Sequence, residues 1–168
     1  LVRGQELGFI VDKALEMLSE TIRSVAAVPR LSMSINAPAS VPAGAKFKVV
    51  VIITNSGGSA ENVVLRIDPP EGFEIVKPGI NASIGRINEG SSASQEFLIE
   101  TSKNINPGQH TIAIEVEFSD ISGTRYQMRD LLVVTVVKSE EEIMTSMVKD
   151  LERKIEEIKV KAKDIPEA

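Results

Sequence analysis

The chain has 168 residues, with 24 acidic and 19 basic side chains for a net charge of -5, no Cys, no Trp and a single His. Without Cys there is no thiolate nucleophile, redox motif, disulfide or Cys-based metal site, and one His cannot furnish a multi-histidine zinc cage. Net negative charge without a basic stripe, and only five Phe and one Tyr for stacking, argue against a nucleic-acid partner; 42% hydrophobic and 26% charged residues with no long apolar run describe a globular chain without a membrane span.

The first residue is Leu1 rather than Met, and no basic-then-apolar leader follows it, which reads as a piece of a longer protein. From Gln5 to Val25 the apolar residues Leu7, Ile10, Val11, Ala14, Leu15, Leu18, Ile22 and Val25 recur at steps of three and four. That spacing places them on one face of a helix within residues 1-28, which Pro29 ends.

The period then changes to two. Phe47, Val49, Val51 and Ile53 alternate with polar neighbours, as do Val63, Leu65 and Ile67, then Ile112, Ile114, Val116 and Phe118, and finally Leu132, Val134 and Val136. Each run predicts a half-buried strand. Turn chemistry separates them at Pro42-Ala-Gly44, Asn55-Ser-Gly-Gly58, Asp68-Pro-Pro-Glu-Gly72, Pro78-Gly79, Glu89-Gly90, Pro107-Gly108 and Ser122-Gly123. The Gly pair after Asn55 predicts a turn of positive φ, and Ser122-Gly123 a tight hairpin. No helix-length crossover intervenes, so residues 31-138 predict an antiparallel β-sandwich of about seven or eight strands.

The stretches Ile53-Thr-Asn55-Ser-Gly-Gly-Ser-Ala60-Glu-Asn-Val63, Leu65 to Ile75 through Pro70 and Gly72, Ile84-Gly-Arg-Ile87, Pro107-Gly108-Gln-His-Thr-Ile112 and Phe118 to Tyr126 together carry a resemblance. Over about residues 31-138 the chain resembles archaeal S-layer-type immunoglobulin-like repeats, the CARDB-type adhesion domains and the sandwich modules appended to bacterial carbohydrate-active enzymes. The resemblance implies an immunoglobulin-like fold and a noncatalytic role in surface display, adhesion or spacing, with no active-site residue to carry over.

From Ser139 the pattern is helical again. Ser139 and Glu142 have capping-box spacing, and Glu140 and Glu141 put negative charge at the positive end of the helix dipole. Met144, Val148, Leu151, Ile155, Ile158, Ala162 and Ile165 alternate steps of four and three, a seam of the coiled-coil kind over residues 139-165. With Val148, Ile155 and Ala162 at a and Leu151, Ile158 and Ile165 at d, a parallel homodimer sets Lys154 opposite Lys159 of its mate. An antiparallel partner or a different helix suits the seam better.

Chemistry-bearing groups are sparse. His110 stands alone beside a Pro-Gly turn and reads as an exposed side chain at a strand start; Glu115 and Glu117 alternate on a strand and read as its solvent face. Neither these nor Asp68, Glu71 and Glu74 match a calcium-loop spacing, so no catalytic residue, cofactor or metal ligand is expected. Asn81-Ala82-Ser83 fits the glycosylation acceptor pattern in a reachable loop. One Tyr and no Trp provide little sugar-stacking platform, so carbohydrate is a minor expectation.

The candidate interaction residues therefore lie on the helix faces: Leu7, Val11 and Leu18 in the first, and Met144, Val148, Leu151, Ile155 and Ile158 in the second. The expected function is a nonenzymatic interaction or spacer module of a surface-associated prokaryotic protein, archaeal if the resemblance holds, extracellular or at the cell surface. Its helices mediate homo-oligomerisation or docking onto a partner protein. The alternative is a cytoplasmic scaffold or regulatory subunit that binds a protein through the same helices. Segment by segment the net charge is 0 over 1-30, -2 over 31-138 and -3 over 139-168, so a charge-dependent partner is expected at the last segment.

Overall fold

The structure is a computed structural model that describes residues 2-26 and 28-164, with side chains of the first helix described over 6-19. Helix α1 (Val2–Ala26) precedes nine strands, β1 (Leu31–Asn36), β2 (Ser40–Pro42), β3 (Lys46–Asn55), β4 (Ala60–Asp68), β5 (Phe73–Lys77), β6 (Asn81–Ile87), β7 (Ser92–Thr101), β8 (Gly108–Ser119) and β9 (Arg125–Val137), and helix α2 (Glu140–Lys163) follows. The strands form a four-stranded sheet of order β1-β3-β7-β5 and a five-stranded sheet of order β2-β9-β8-β4-β6.

Nine strands exceed the seven or eight expected. The three-residue β2 is too short to show a period, and it runs parallel to β9, the exception in an otherwise antiparallel sandwich. Pro42 fits at this sheet edge because an edge strand leaves one row of amide positions unused by the ladder.

Alternation explains the core. Phe47, Val49, Val51 and Ile53 of β3 meet Phe97 and Ile99 of β7 from one sheet, and Leu65, Ile67, Ile112, Ile114, Val116, Val134 and Val136 face them from the other. Most of these side chains are fully buried. Each contributes roughly 1.5–3 kcal/mol relative to exposure, so the sandwich has a core of its own without help from either helix.

One irregularity keeps β4 in phase. Ala60 and Val63 both face the core although three residues apart, because the pairing of β4 with β6 and β8 shifts register between them and Asn62 adopts φ 50°. A bulge adds one residue and so restores the inward phase, and Asn tolerates the left-handed conformation better than other residues with a Cβ.

The helices enter and leave at opposite poles. Leu31 at the start of β1 pairs with Asn55 at the end of β3, whereas Val137 at the end of β9 lies beside Pro42 and Ala43, next to the start of β3. The length of the ten-residue β3, about 30 Å at the usual strand rise, separates the two junctions.

Helix α2 begins as its sequence requires. Ser139 Oγ accepts a hydrogen bond from the Glu142 amide at 3.2 Å, with Glu140, Glu141 and Glu142 in the first turn and Lys161 and Lys163 in the last. Ser139→Ala should therefore fray the first turn at a cost of about 1 kcal/mol. Hydrogen exchange at the amides of residues 141-143 is expected to quicken severalfold, and unchanged exchange would show the cap to be idle.

Candidate interaction surfaces

Three surfaces and two polar clusters stand outside the core. The first surface is the pair of helices. Every described side chain of α1 and every side chain of α2 through Asp164 is exposed, including Leu7, Val11 and Leu18 in one and Met144, Val148, Leu151, Ile155 and Ile158 in the other. The sequence-derived interaction residues thus form two separate apolar stripes in solvent.

The second surface is the outer face of the five-stranded sheet. Odd-numbered residues of β9 point away from the core, which leaves Leu131, Val133 and Val137 41–55% exposed beside Thr111 and Ala113 of β8. Further along the same face, Asn62 and Val64 of β4, Glu117 and Ser119 of β8, and Arg125 and Gln127 of β9 border an open cleft of about 520 Å³. Its lining mixes one acid, one base and amides, with no nucleophile and base in contact.

The third is the free edge formed by β6. Asn81 is exposed and pairs with Arg66 at the first position of this strand. The acceptor triplet therefore starts a strand rather than sitting in a loop, because Ala82 turns inward onto the core and draws its neighbours into the ladder.

At the Asn55 pole, the fully buried Asn55 uses its whole side-chain amide. Its Oδ1 accepts from the Gly57 amide (3.0 Å) and the Arg30 amide (3.2 Å), and its Nδ2 donates to the carbonyls of Gly58 (2.8 Å) and Ile87 (2.9 Å). Three separate chain segments are thereby tied together. The two following glycines do not take the positive φ expected of them; among the described residues that conformation belongs to Asn62 and seven other glycines. Gly57 is needed for close approach instead, since a Cβ there would fall on the Val28 carbonyl oxygen and 2.7 Å from the Arg30 nitrogen.

At the β8–β9 hairpin, Asp120 organises a five-residue loop rather than a two-residue turn. Its Oδ1 accepts from the Ser122 amide, the Ser122 hydroxyl and the Thr124 amide, each at 2.9 Å, and its Oδ2 accepts from the Tyr126 hydroxyl at 3.0 Å. The Tyr126 ring stacks on Phe118 at 5.4 Å and 17°. Partial burial disfavours the charge on Asp120, but the donors Ser122, Thr124 and Tyr126 together outweigh it and hold the carboxyl below its ordinary range. The same hydrogen bond, with burial and the negative charge of Asp120, raises Tyr126.

A carboxyl whose folded-state pKa is lowered stabilises the fold above its ordinary pKa and loses that contribution as pH falls through the folded value. For the raised Tyr126 the contribution is present below its ordinary pKa and is lost as pH rises through the folded value. Asp120→Asn should thus lower the urea midpoint at pH 7, and the gap from the parent protein should narrow as pH drops below 4 towards the folded carboxyl's value. A gap independent of pH would show that the charge plays no part.

His110 is half-buried rather than exposed. Even-numbered residues of β8 point inward, so its ring lies edge-on to Phe73 at 5.4 Å while Nε2 donates to the Asn106 carbonyl at 2.7 Å. One hydrogen bond and one ring contact thus hold the imidazole against the sandwich. Among the described residues no three His, Asp or Glu side chains converge on a metal-sized site, and no helix is long and apolar enough to cross a membrane. Glu115 is half-buried against Arg129 and Gln127, and Glu117 is exposed.

Comparison with known proteins bears on the fold. A scan against protein-family profiles returns no match, and a search of curated proteins returns none either. Among solved structures, the chain is similar to Escherichia coli α2-macroglobulin from domain MG7 to the C-terminus, at 14% identity and TM-score 0.53 over 67% of this chain, which spans 17% of that one. It is also similar to the CARDB domain of a Pyrococcus furiosus protein (17% identity, TM-score 0.47, 65% of this chain and 89% of that) and to the major pilin subunit of Bacillus cereus (8% identity, TM-score 0.49, 66% and 41%). At these identities the likeness is one of fold: the chain is mainly β, a two-sheet sandwich of immunoglobulin-like type with a helix at each end.

Proposed function

We propose that this chain is a nonenzymatic spacer and interaction module of a surface-associated prokaryotic protein, in which the sandwich sets a distance and the helices mediate self-association or docking. The observation that carries this reading is the exposure of every described apolar side chain of both helix stripes beside a sandwich whose own core is already closed. Exposed apolar stripes of this size are retained where a partner covers them. A seam of about three heptads is also too short to hold a helix in water without tertiary support.

Residues 1-28, 31-138 and 139-165 act in this reading as a helix, a rigid body and a second helix. Asn81 offers an exposed acceptor for a glycan on the β6 edge, as befits display outside the cell. Molar mass in solution, measured for the chain and for a form ending at Lys138, tests the helices: association should be lost on removal of α2. A monomer in both forms at high concentration would end the self-association reading. Mass spectrometry of the Asn81 peptide from the native source tests the location, with a glycan expected there and a bare peptide counting against it.

A further inference from the structure

We propose that Asp130 guards the open edge of β9, keeping this strand from pairing antiparallel with the same strand of a second copy; the inference stands apart from the reading of the helices.

Most of this edge is uncovered. β9 runs from Arg125 to Val137, yet on the side away from β8 only Thr135, Val136 and Val137 are paired, with the short β2. The stretch from Arg125 to Val134 is therefore an open edge, longer than the edge strands β1, β5 and β6. Two bonds at the covered end fix the backbone phase: the Thr135 amide donates to the Ala39 carbonyl at 3.0 Å, and the Val137 carbonyl accepts from the Ala43 amide at 2.9 Å. Register with β8 is unbroken down to Arg125, so Gln127, Arg129, Leu131 and Val133 also point their peptide groups outward. A row of unpaired peptide groups along Leu131, Leu132, Val133 and Val134 is a template for another strand.

Asp130 interrupts this template in three ways. Even-numbered side chains of β9 point inward, and Tyr126, Met128, Leu132 and Val134 pack on the core, whereas Asp130 stands exposed in the middle of that row. A strand laid against the edge would cover this carboxylate and strip it of water. It makes no ion pair among the described residues, Arg129 being turned to Glu115 on the outer face. Asp130 Oδ1 also accepts from the outward Leu131 amide at 2.8 Å, which occupies a donor that an added strand would need.

The third obstacle is register. Opposed residues of an antiparallel pair share a face, so β9 meets its copy only with odd opposite odd and even opposite even. The two such registers with the longest overlap set Asp130 opposite Asp130 of the copy, or Arg129 opposite its Arg129. Like charges directly opposed select against either. Removing the charge of Asp130 frees the first register, in which Met128 meets Leu132 of the copy, Arg129 its Leu131 and Gln127 its Val133.

The test is Asp130→Val and, separately, Asp130→Thr, two strand formers placed on an exposed position. Urea unfolding checks that each folds. Sedimentation should give each variant a larger mass than the unaltered chain at the same concentration. Hydrogen exchange at the amides of residues 127, 129, 131 and 133 should slow by about tenfold or more as the concentration of either variant rises. In the unaltered chain the exchange of these amides should not depend on concentration, even where copies associate through their helices. Variants that match the unaltered chain in mass and exchange overturn the guard. Concentration-dependent protection of the same amides in the unaltered chain also overturns it, because the edge would then already be a pairing surface.

Discussion

Replacement of Asn55 by Ala is expected to lower the stability of the sandwich by about 3–5 kcal/mol, in the upper range for single substitutions. The residue is fully buried and its amide satisfies four backbone groups, the Arg30 and Gly57 amides and the Gly58 and Ile87 carbonyls. Each buried peptide group left without a partner costs roughly 1–3 kcal/mol, and some of the four will recover water at this pole. The urea midpoint should fall with its slope unchanged. Asn55→Asp should do no better, since a carboxylate would face two carbonyls where the amide now donates. A loss below 1 kcal/mol for Asn55→Ala would mean that the loops at this pole do not depend on the side chain.

The second large effect is expected at Gly57. A Cβ at this position meets the Val28 carbonyl and lies 2.7 Å from the Arg30 nitrogen and 2.9 Å from Arg30 Cγ, so the chain segment between α1 and β1 must move. That movement would break the bonds from the Gly58 amide to the Val28 carbonyl and from the Ser56 amide to the Arg30 carbonyl, both 2.9 Å. Gly57→Ala should cost about 2–4 kcal/mol by overpacking and lost hydrogen bonds. Because both substitutions release the same segment, the double variant should be less destabilised than the two single effects added together. Strict additivity, measured by urea unfolding, would show that Asn55 and Gly57 act on different parts of the pole.

Where large apolar residues recur at every second position, the strands were legible. β3 and β8 carry four inward apolar residues each, and nothing but a half-buried strand explains that period. β2 was not legible, because three residues hold no period, and the β4 bulge was hidden because it moves only Ala60 relative to Val63. The role of Gly57 depends on a segment some 27 positions earlier, which no local turn rule contains. His110 shows the same limit, since its inward side follows from the phase of the whole of β8. The apolar helix stripes were readable from spacing alone, whereas the isolation of each stripe required the sandwich to place the chain junctions at opposite poles.

That placement has a mechanical meaning. Tension applied through the two helices enters at Leu31 and leaves at Val137, so it runs along the strands rather than across them. The ladder of β1 on β3, from Leu31 opposite Asn55 to Asn36 opposite Val50, then bears the load with all its hydrogen bonds at once instead of opening from one end. Pulling through the two helices should thus need a higher rupture force than pulling between α1 and the Ser122 loop, where β8 and β9 peel from their tip. Under such a load the edge strand β1, nearest α1, should be the first joint to give way.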